Sequence, residues 1–370
     1  MKILLINWQD LKNPFGGGAE VHLHQFFSSF VLKGHSVTLL CSSFKGLPAE
    51  DFEDGIRIIR KGNRWIFNFL VPFYLKELLS KEDFDVIVED VNKIPFFTRF
   101  FVKKPIIVIT HHFFGSVIFQ ETNPLFGLYV YIFEKLFFKL YKGLPIITVS
   151  ESTKEEMVKN GIPSTKITVV YNAVKLDFFK PGEKSDVPFI LYLGRLKKYK
   201  RIDFFLRIIK ELIDRYYQGP LKVEIVGNGD AREGLEKLCV QLGLENVVKF
   251  TGYVSEDEKA KKLRESWVLI NTSPKEGWGI VVMEAQASGT PALVFDSPGL
   301  REAVVHEKTG YVVPFGDVEK VAFYVDKLIR DGGLRERMAE AARKWAEEFD
   351  IVKLREQFYH IFVDLLRSRG

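Results

Sequence analysis

The feature that most restricts this chain is an alternation. Short apolar runs with the length of buried strands are each followed by a longer stretch whose apolar residues recur at helical spacing. The pattern occurs on both sides of one polar stretch, residues 180–188, which carries Pro181, Gly182 and Pro188 among charged residues and reads as a domain boundary. Before it, strands are expected at 2–7, 36–41, 85–90, 105–110 and 145–150. After it, they are expected at 189–193, 222–226, 247–250, 267–271 and 292–295. Parallel strands need a crossover that carries a helix, so this alternation builds parallel sheets covered by helices on both faces. The expected fold is α/β, with two doubly wound parallel-sheet domains facing a cleft. The first spans 1–181, the second 182–349, and a last helix within 350–370 is expected to cross back to the first.

Composition excludes several classes of function. With 53 Lys and Arg against 48 Asp and Glu, the formal charge of +5 is too balanced to signal a nucleic-acid binder. Cys41 and Cys239 fit neither a disulfide framework nor a zinc spacing, so a reduced, cytoplasmic setting is expected. No apolar run approaches the length of a membrane span, and residues 1–6 are too short for a signal peptide. Phenylalanine is abundant, at 33 residues, and two N-terminal segments (64–76 and 129–142) mix aromatic with basic side chains. They read as core-facing helices with snorkelling lysines, or as a surface that rests on lipid headgroups.

Candidate chemistry gathers where strands end. Gly16-Gly17-Gly18-Ala19-Glu20 follows the first strand and opens a helix. Three glycines let a ligand approach the backbone, although the turn is neither a P-loop nor the dinucleotide fingerprint. His111 stands at the carboxyl end of a strand, the edge where open α/β sheets bind ligands. In the second half, Gly194-Arg195-Leu196 with Lys200 forms a basic loop after a strand, suited to phosphate. Residues 267–271 then lead through Glu276-Gly277-Trp278-Gly279 into a helix expected at 279–288, where Ile280, Met283 and Ala287 are helically spaced. A helix start aims amides and a positive dipole at one point, which suits phosphate. Glu276 in the loop and Glu284 in the helix flank that point; as acids they suit hydroxyl groups of a ligand that also carries phosphate, as a sugar nucleotide does. Bland readings stand beside these: a flexible glycine turn, a solvated basic loop, a helix cap and a solvated glutamate.

With these residues in view, nearly the whole chain resembles the retaining glycosyltransferases of family 4, which share the two-Rossmann architecture called GT-B. The paired glutamates with seven residues between them are Glu276 and Glu284. The Gly-Arg-Leu with a lysine five residues after the arginine is Gly194, Arg195, Leu196 and Lys200. The early turn is Gly17-Gly18-Ala19-Glu20, and the histidine after a first-domain strand is His111. Two positions depart from the pattern: Arg201 stands where glycine often follows the lysine, and Asn172-Ala173-Val174-Lys175 replaces an Asn-Gly-Val-Asp turn.

The resemblance implies a hexosyltransferase that uses a nucleotide-diphosphate sugar as donor substrate, with no cofactor and no metal. Arg195 and Lys200 would bind the diphosphate, and Glu284 the ribose hydroxyls. Glu276, with the backbone of Gly277, Trp278, Gly279 and Ile280, would hold the sugar and its phosphate. His111 and the turn Gly16, Gly17 and Gly18 would complete the site, and Gly252 and Tyr253 would lie near the base. Retention by front-face substitution is expected, with an acceptor hydroxyl on a glycolipid or cell-envelope glycan. The implied partners are donor and acceptor, with no nucleic acid, and the location is cytoplasmic, compatible with a peripheral contact at the inner membrane face. A related epimerase, a phosphorylase, a non-catalytic nucleotide- or sugar-binding protein and a dehydrogenase are the rival readings.

Overall fold

Strands buried on both faces need apolar side chains at every position rather than at alternate ones, and the apolar runs of this chain form such strands. The computed structural model describes residues 1–367. They fall into two units: Met1–Ala173 with the chain from Ile351 onward, and Val174–Asp350. The stretch 180–188 lies inside the second unit. Its Lys184 ammonium donates to the Ser266 carbonyl at 2.9 Å and to Thr290 Oγ1 at 2.7 Å, so this polar segment is packed down and does not hang free.

The first unit holds eight strands: β1 (Lys2–Ile6), β2 (Ser36–Ser43), β3 (Glu50–Glu53), β4 (Ile56–Asn63), β5 (Val86–Val91), β6 (Ile106–Thr110), β7 (Ile146–Thr148) and β8 (Ile167–Val169). Their order is β3-β4-β2-β1-β5-β6-β7-β8, parallel except for the antiparallel edge pair β3 and β4. Leu4 pairs with Thr38 on one side and Ile87 on the other, so β1 is central. The order reverses between β1 and β5, and a crevice opens at such a reversal, outside the carboxyl ends of the strands.

The last helix, Ile351–Arg367, returns to this unit as expected. It sets Phe358 against Phe26 (ring centroids 4.7 Å apart) and Phe362 against Phe30 (5.0 Å), both partners lying on the helix Gly18–Leu32. Burying such a ring contributes roughly 1.5–3 kcal/mol. Arg355 Nε donates to the Gln25 carbonyl at 2.7 Å beside them.

The second unit is an all-parallel six-stranded sheet: β9 (Phe189–Leu193), β10 (Lys222–Val226), β11 (Val248–Gly252), β12 (Val268–Asn271), β13 (Ala292–Phe295) and β14 (Gly310–Val313). The order β11-β10-β9-β12-β13-β14 reverses between β9 and β12. Ile190 is central, paired with Val223 and Val268. The helices Ile202–Arg215 and Val318–Arg330 carry the apolar stripes that cover one face, with Phe205, Ile209, Val321 and Val325 buried. Both units are thus Rossmann-like, each with its own reversal point.

Candidate functional site in the second domain

The two loops that flank the β9/β12 reversal carry the basic and acidic residues singled out in the sequence. After β9 the chain turns through 194–200. It is tied to the loop after β10, since Leu196 N–H donates to the Asn228 carbonyl at 2.9 Å and Ala231 N–H to the Leu196 carbonyl at 3.0 Å. After β12, Thr272 Oγ1 donates to the Lys200 carbonyl at 3.2 Å, which couples the two flanking loops directly. Two of their charged side chains meet: the Lys200 ammonium forms an ion pair with Glu276 Oε1. Burial alone would lower the Lys200 pKa, but the Glu276 carboxylate outweighs it and the net shift is upward. Lys200 therefore stays a cation in a half-dry place, beside an acid that can accept hydroxyl protons. Arg195 is exposed on the same loop, close enough to oppose the Lys200 charge.

The loop after β12 is shaped by two glycines. Gly279, with φ +91°, is the N-cap of the helix Ile280–Ala287 and has no side chain with which to cap that start. The Val282 N–H already donates to the Gly279 carbonyl at 2.9 Å, which leaves the amides of Ile280 and Val281, without intrahelical acceptors, to face an anion at this end. Gly299, with φ +80°, lies under the loop; a Cβ there would stand 2.3 Å from the Glu276 carbonyl oxygen. Glu276 N–H donates to the Pro298 carbonyl at 3.1 Å and Ser297 Oγ to the Ser273 carbonyl at 2.8 Å. The segment after β13 thus fixes where Glu276 points, and sequence reading had assigned it no role.

The side chain of Trp278 is turned into the core. Its ring is 2% exposed and packs on Phe349 at 5.2 Å between centroids, so only its backbone can meet a ligand. The helix Gly332–Glu347 adds a clamp through Arg343, which donates to the Ala287 carbonyl at 2.8 Å.

Glu284 sits in the second turn of the site helix, 7% exposed. Its Oε1 accepts from the Lys259 ammonium at 2.9 Å, whereas its Oε2 is buried without a hydrogen-bond partner among the described residues. Burial raises its pKa and Lys259 opposes that rise. Lys259, on the helix Glu256–Glu265, is a second residue the sequence reading missed; it also pairs with Glu256 at 2.7 Å. No local motif marks it, because its partner is 25 residues away on another helix. Gly252 ends β11 at the same edge of the sheet, its carbonyl accepting from Gly227 N–H at 2.8 Å, and Tyr253 beside it is 84% exposed.

Arg201 explains its own departure from the family pattern. Its φ is +55°, the left-handed region where a glycine carries no Cβ penalty. Arg201 is held there by a two-pronged contact with Asp203, at 2.9 Å for each prong, and by Phe204, 4.0 Å from its guanidinium.

In the first unit, His111 is buried after β6, with Nε2 3.0 Å from Asp90 Oδ1. His22 packs edge-on against it at 5.0 Å between centroids. In the glycine turn, Gly16 N–H donates to the Asn13 carbonyl at 2.8 Å and Gly17 N–H to Glu20 Oε2 at 2.7 Å. Those two amides serve the turn itself. Among the described residues no group of three or more His, Cys, Asp or Glu is placed to hold a metal ion.

Comparison with known proteins agrees with this fold. A family model described as "Glycosyltransferase Family 4" matches residues 16–178, and one described as "Glycosyl transferases group 1" matches 173–345. An uncharacterised glycosyltransferase of Methanocaldococcus jannaschii is 29% identical, with 93% of each chain covered. A D-inositol 3-phosphate glycosyltransferase of Streptomyces avermitilis is 33% identical over 55% of this chain, which spans about half (48%) of that relative. Among solved structures, a sucrose-phosphate synthase from Thermosynechococcus elongatus has the same fold, with a TM-score of 0.83 over 99% of both chains at 18% identity. Two Rossmann-like domains, each matched by its own family model, make this chain a member of the family 4, group 1 glycosyltransferases, enzymes of the GT-B fold that take a sugar from a nucleotide-diphosphate donor.

Proposed function

We propose that the second domain binds the donor at the β9/β12 reversal and that the reaction proceeds with retention of configuration. Cleaving a sugar–phosphate bond builds negative charge on the leaving diphosphate. Arg195, Lys200 and the amides at the start of the helix Ile280–Ala287 lie at one edge of one sheet, where they can take up that charge. A preorganised donor of this kind contributes about 2.7–4 kcal/mol to the transition state, so we assign the leaving-group charge to these groups and not to a metal ion. Glu276 accepts hydroxyls of the transferred sugar and Glu284 those of the ribose. Gly252 and Tyr253 border the base. In the first domain we assign ligand contacts to His111, with Asp90 behind it, and to the turn at Gly16, Gly17 and Gly18.

The observation that carries this reading is the buried, unpartnered Oε2 of Glu284, beside a lysine and one helix turn from an uncapped helix start. A buried carboxylate oxygen without a donor is costly unless a ligand hydroxyl supplies one. The acceptor we propose is a hydroxyl of a glycolipid or a cell-envelope glycan. Attack comes from the face the diphosphate leaves, without a covalent sugar–enzyme intermediate. Thermal unfolding with a panel of nucleoside diphosphates and nucleotide sugars tests the donor site, because a ligand that binds only the folded chain raises its melting temperature. Product analysis with and without acceptor separates transfer from epimerisation. A panel that leaves melting unchanged, or sugar trapped covalently on Glu276, overturns the reading.

A further inference from the structure

The helix Pro124–Leu140 buries Gly127, Val130, Glu134, Phe137 and Phe138. Its opposite side carries Leu125, Leu128, Ile132 and Leu136, all exposed and spaced as one helical stripe. A helix on the surface of a soluble domain normally turns polar residues that way, so the stripe needs a partner. A second stripe lies beside it. On the helix Phe67–Lys81, Phe69 and Phe73 are 56% and 68% exposed, with Lys76 one turn further on. The two helices touch: Asn68 Nδ2 donates to the Tyr129 hydroxyl at 2.9 Å, and the Phe69 and Tyr129 rings stand 6.3 Å apart between centroids. The exposed apolar side chains therefore form one continuous face of the first domain.

The exposed charges that these two helices leave without an ionic partner among the described residues are lysines. Lys76, Lys135 and Lys139 are exposed on the two helices, long enough to lie along the stripes with their ammonium groups beyond. The acids of the same helices are either paired at the surface or turned inward. Glu77 is held by Lys61 and Lys81, and Glu134 is turned inward to accept from Phe114 and Gly115 N–H at 2.7 and 2.8 Å. A second copy of the chain would bring lysines against lysines. No helix among the described residues is long and apolar enough to cross a membrane, which leaves a face that lies on a bilayer. We infer that the helices Phe67–Lys81 and Pro124–Leu140 together form a docking face for an anionic lipid surface, with aromatic and aliphatic side chains entering the headgroup layer and lysines meeting the phosphates. The inference builds on the proposed acceptor class, since a lipid-borne hydroxyl is met at such a surface.

The full chain is sedimented with vesicles of phosphatidylcholine alone and of phosphatidylcholine with phosphatidylglycerol, at low and high salt. Binding is expected to the anionic vesicles and to weaken with salt. Phe73→Ser with Leu125→Ser should lower partitioning by about tenfold or more, and Lys76→Glu with Lys135→Glu and Lys139→Glu should abolish the preference for anionic lipid. Nucleotide-induced melting shifts, read in parallel on every variant, should be unchanged. A wild-type chain that shifts with nucleotide but ignores both vesicles overturns this inference alone; vesicle binding with no nucleotide shift overturns the donor reading alone. Equal binding by wild type and both variants overturns the assignment of the face. A dimer seen by light scattering that Phe73→Ser with Leu125→Ser dissociates makes the face a self-interface, which also overturns it.

Discussion

Two buried carboxylates, one in each domain, show how differently the same group can be used. In the first domain Glu89, fully buried on β5, accepts from the amides of Phe96, Phe97 and Thr98 and from the hydroxyls of Thr98 and Tyr141. Five donors saturate it, and its effect is to pin the aromatic loop 96–98. In the second domain Glu284 has one lysine on one oxygen and nothing on the other among the described residues. Burial pushes both carboxyls toward their neutral form. The difference lies in completion. A satisfied carboxylate is a structural part, whereas an incomplete one has capacity left for a ligand.

The largest expected effect on activity tests the donor end of that contrast. Arg195→Ala should lower turnover by about 10²–10³-fold, with acceptor affinity little changed and melting temperature preserved; steady-state kinetics in both substrates measure it. Next, Glu89→Ala should destabilise the fold by about 3–5 kcal/mol, because it strands several buried donors. Denaturant unfolding reads that loss, and a small loss would show that Glu89 is not the fixed part described here.

Glu284→Gln should do the reverse. It weakens donor binding by about tenfold, since one charge-assisted hydrogen bond is lost, while stability holds. Lys259→Met sharpens this point through pH. Burial raises the Glu284 pKa and Lys259 pulls it back, so removing Lys259 lifts it further. Donor affinity, which needs the carboxylate, should then fall away at a higher pH than in the wild type as the solution is made acid.

The last effect, on stability alone, belongs to a buried cation away from the site. Burial lowers the Lys184 pKa from 10.5 to about 7. Between those values the unfolded chain binds more protons than the folded one, so stability should rise with pH across that window, by at most roughly 1.4 kcal/mol per pH unit, and level off below it. Lys184→Met should flatten the profile in unfolding curves taken from pH 7 to 10.

Much of this fold is legible in the chain because parallel strands buried on both faces are written as unbroken apolar runs. β1, β5, β6, β9, β10 and β12 lie within a residue or so of where their runs predict. The edge pair β3 and β4 gave no such signal. Glu50–Glu53 alternates exposed with half-buried residues, and Ile56–Asn63 ends in Lys61, Gly62 and Asn63, so neither reads as a core strand. β14, four residues opening with a glycine, is also too short to declare itself. In the candidate site, the placement of Arg195, Lys200 and Glu276 after strands, and of Glu284 in the helix that follows, is legible from the sequence. The inward ring of Trp278 does not, because a motif does not say which way a side chain turns.

The order of residues alone determined that two doubly wound sheets would form and that charged residues would gather where their strands end, since strand length, helix period and loop position are local properties of the chain. Only packing decided which of those charges meet. Lys200 lies 76 residues from Glu276, and they meet because the neighbouring strands β9 and β12 deliver their loops to one edge, whereas Lys259 lies 25 from Glu284 and they meet because the helices Glu256–Glu265 and Ile280–Ala287 pack together. Packing also decided that one side of the helix Pro124–Leu140 would be left bare, because its buried side was filled first by Phe137, Phe138 and the inward Glu134.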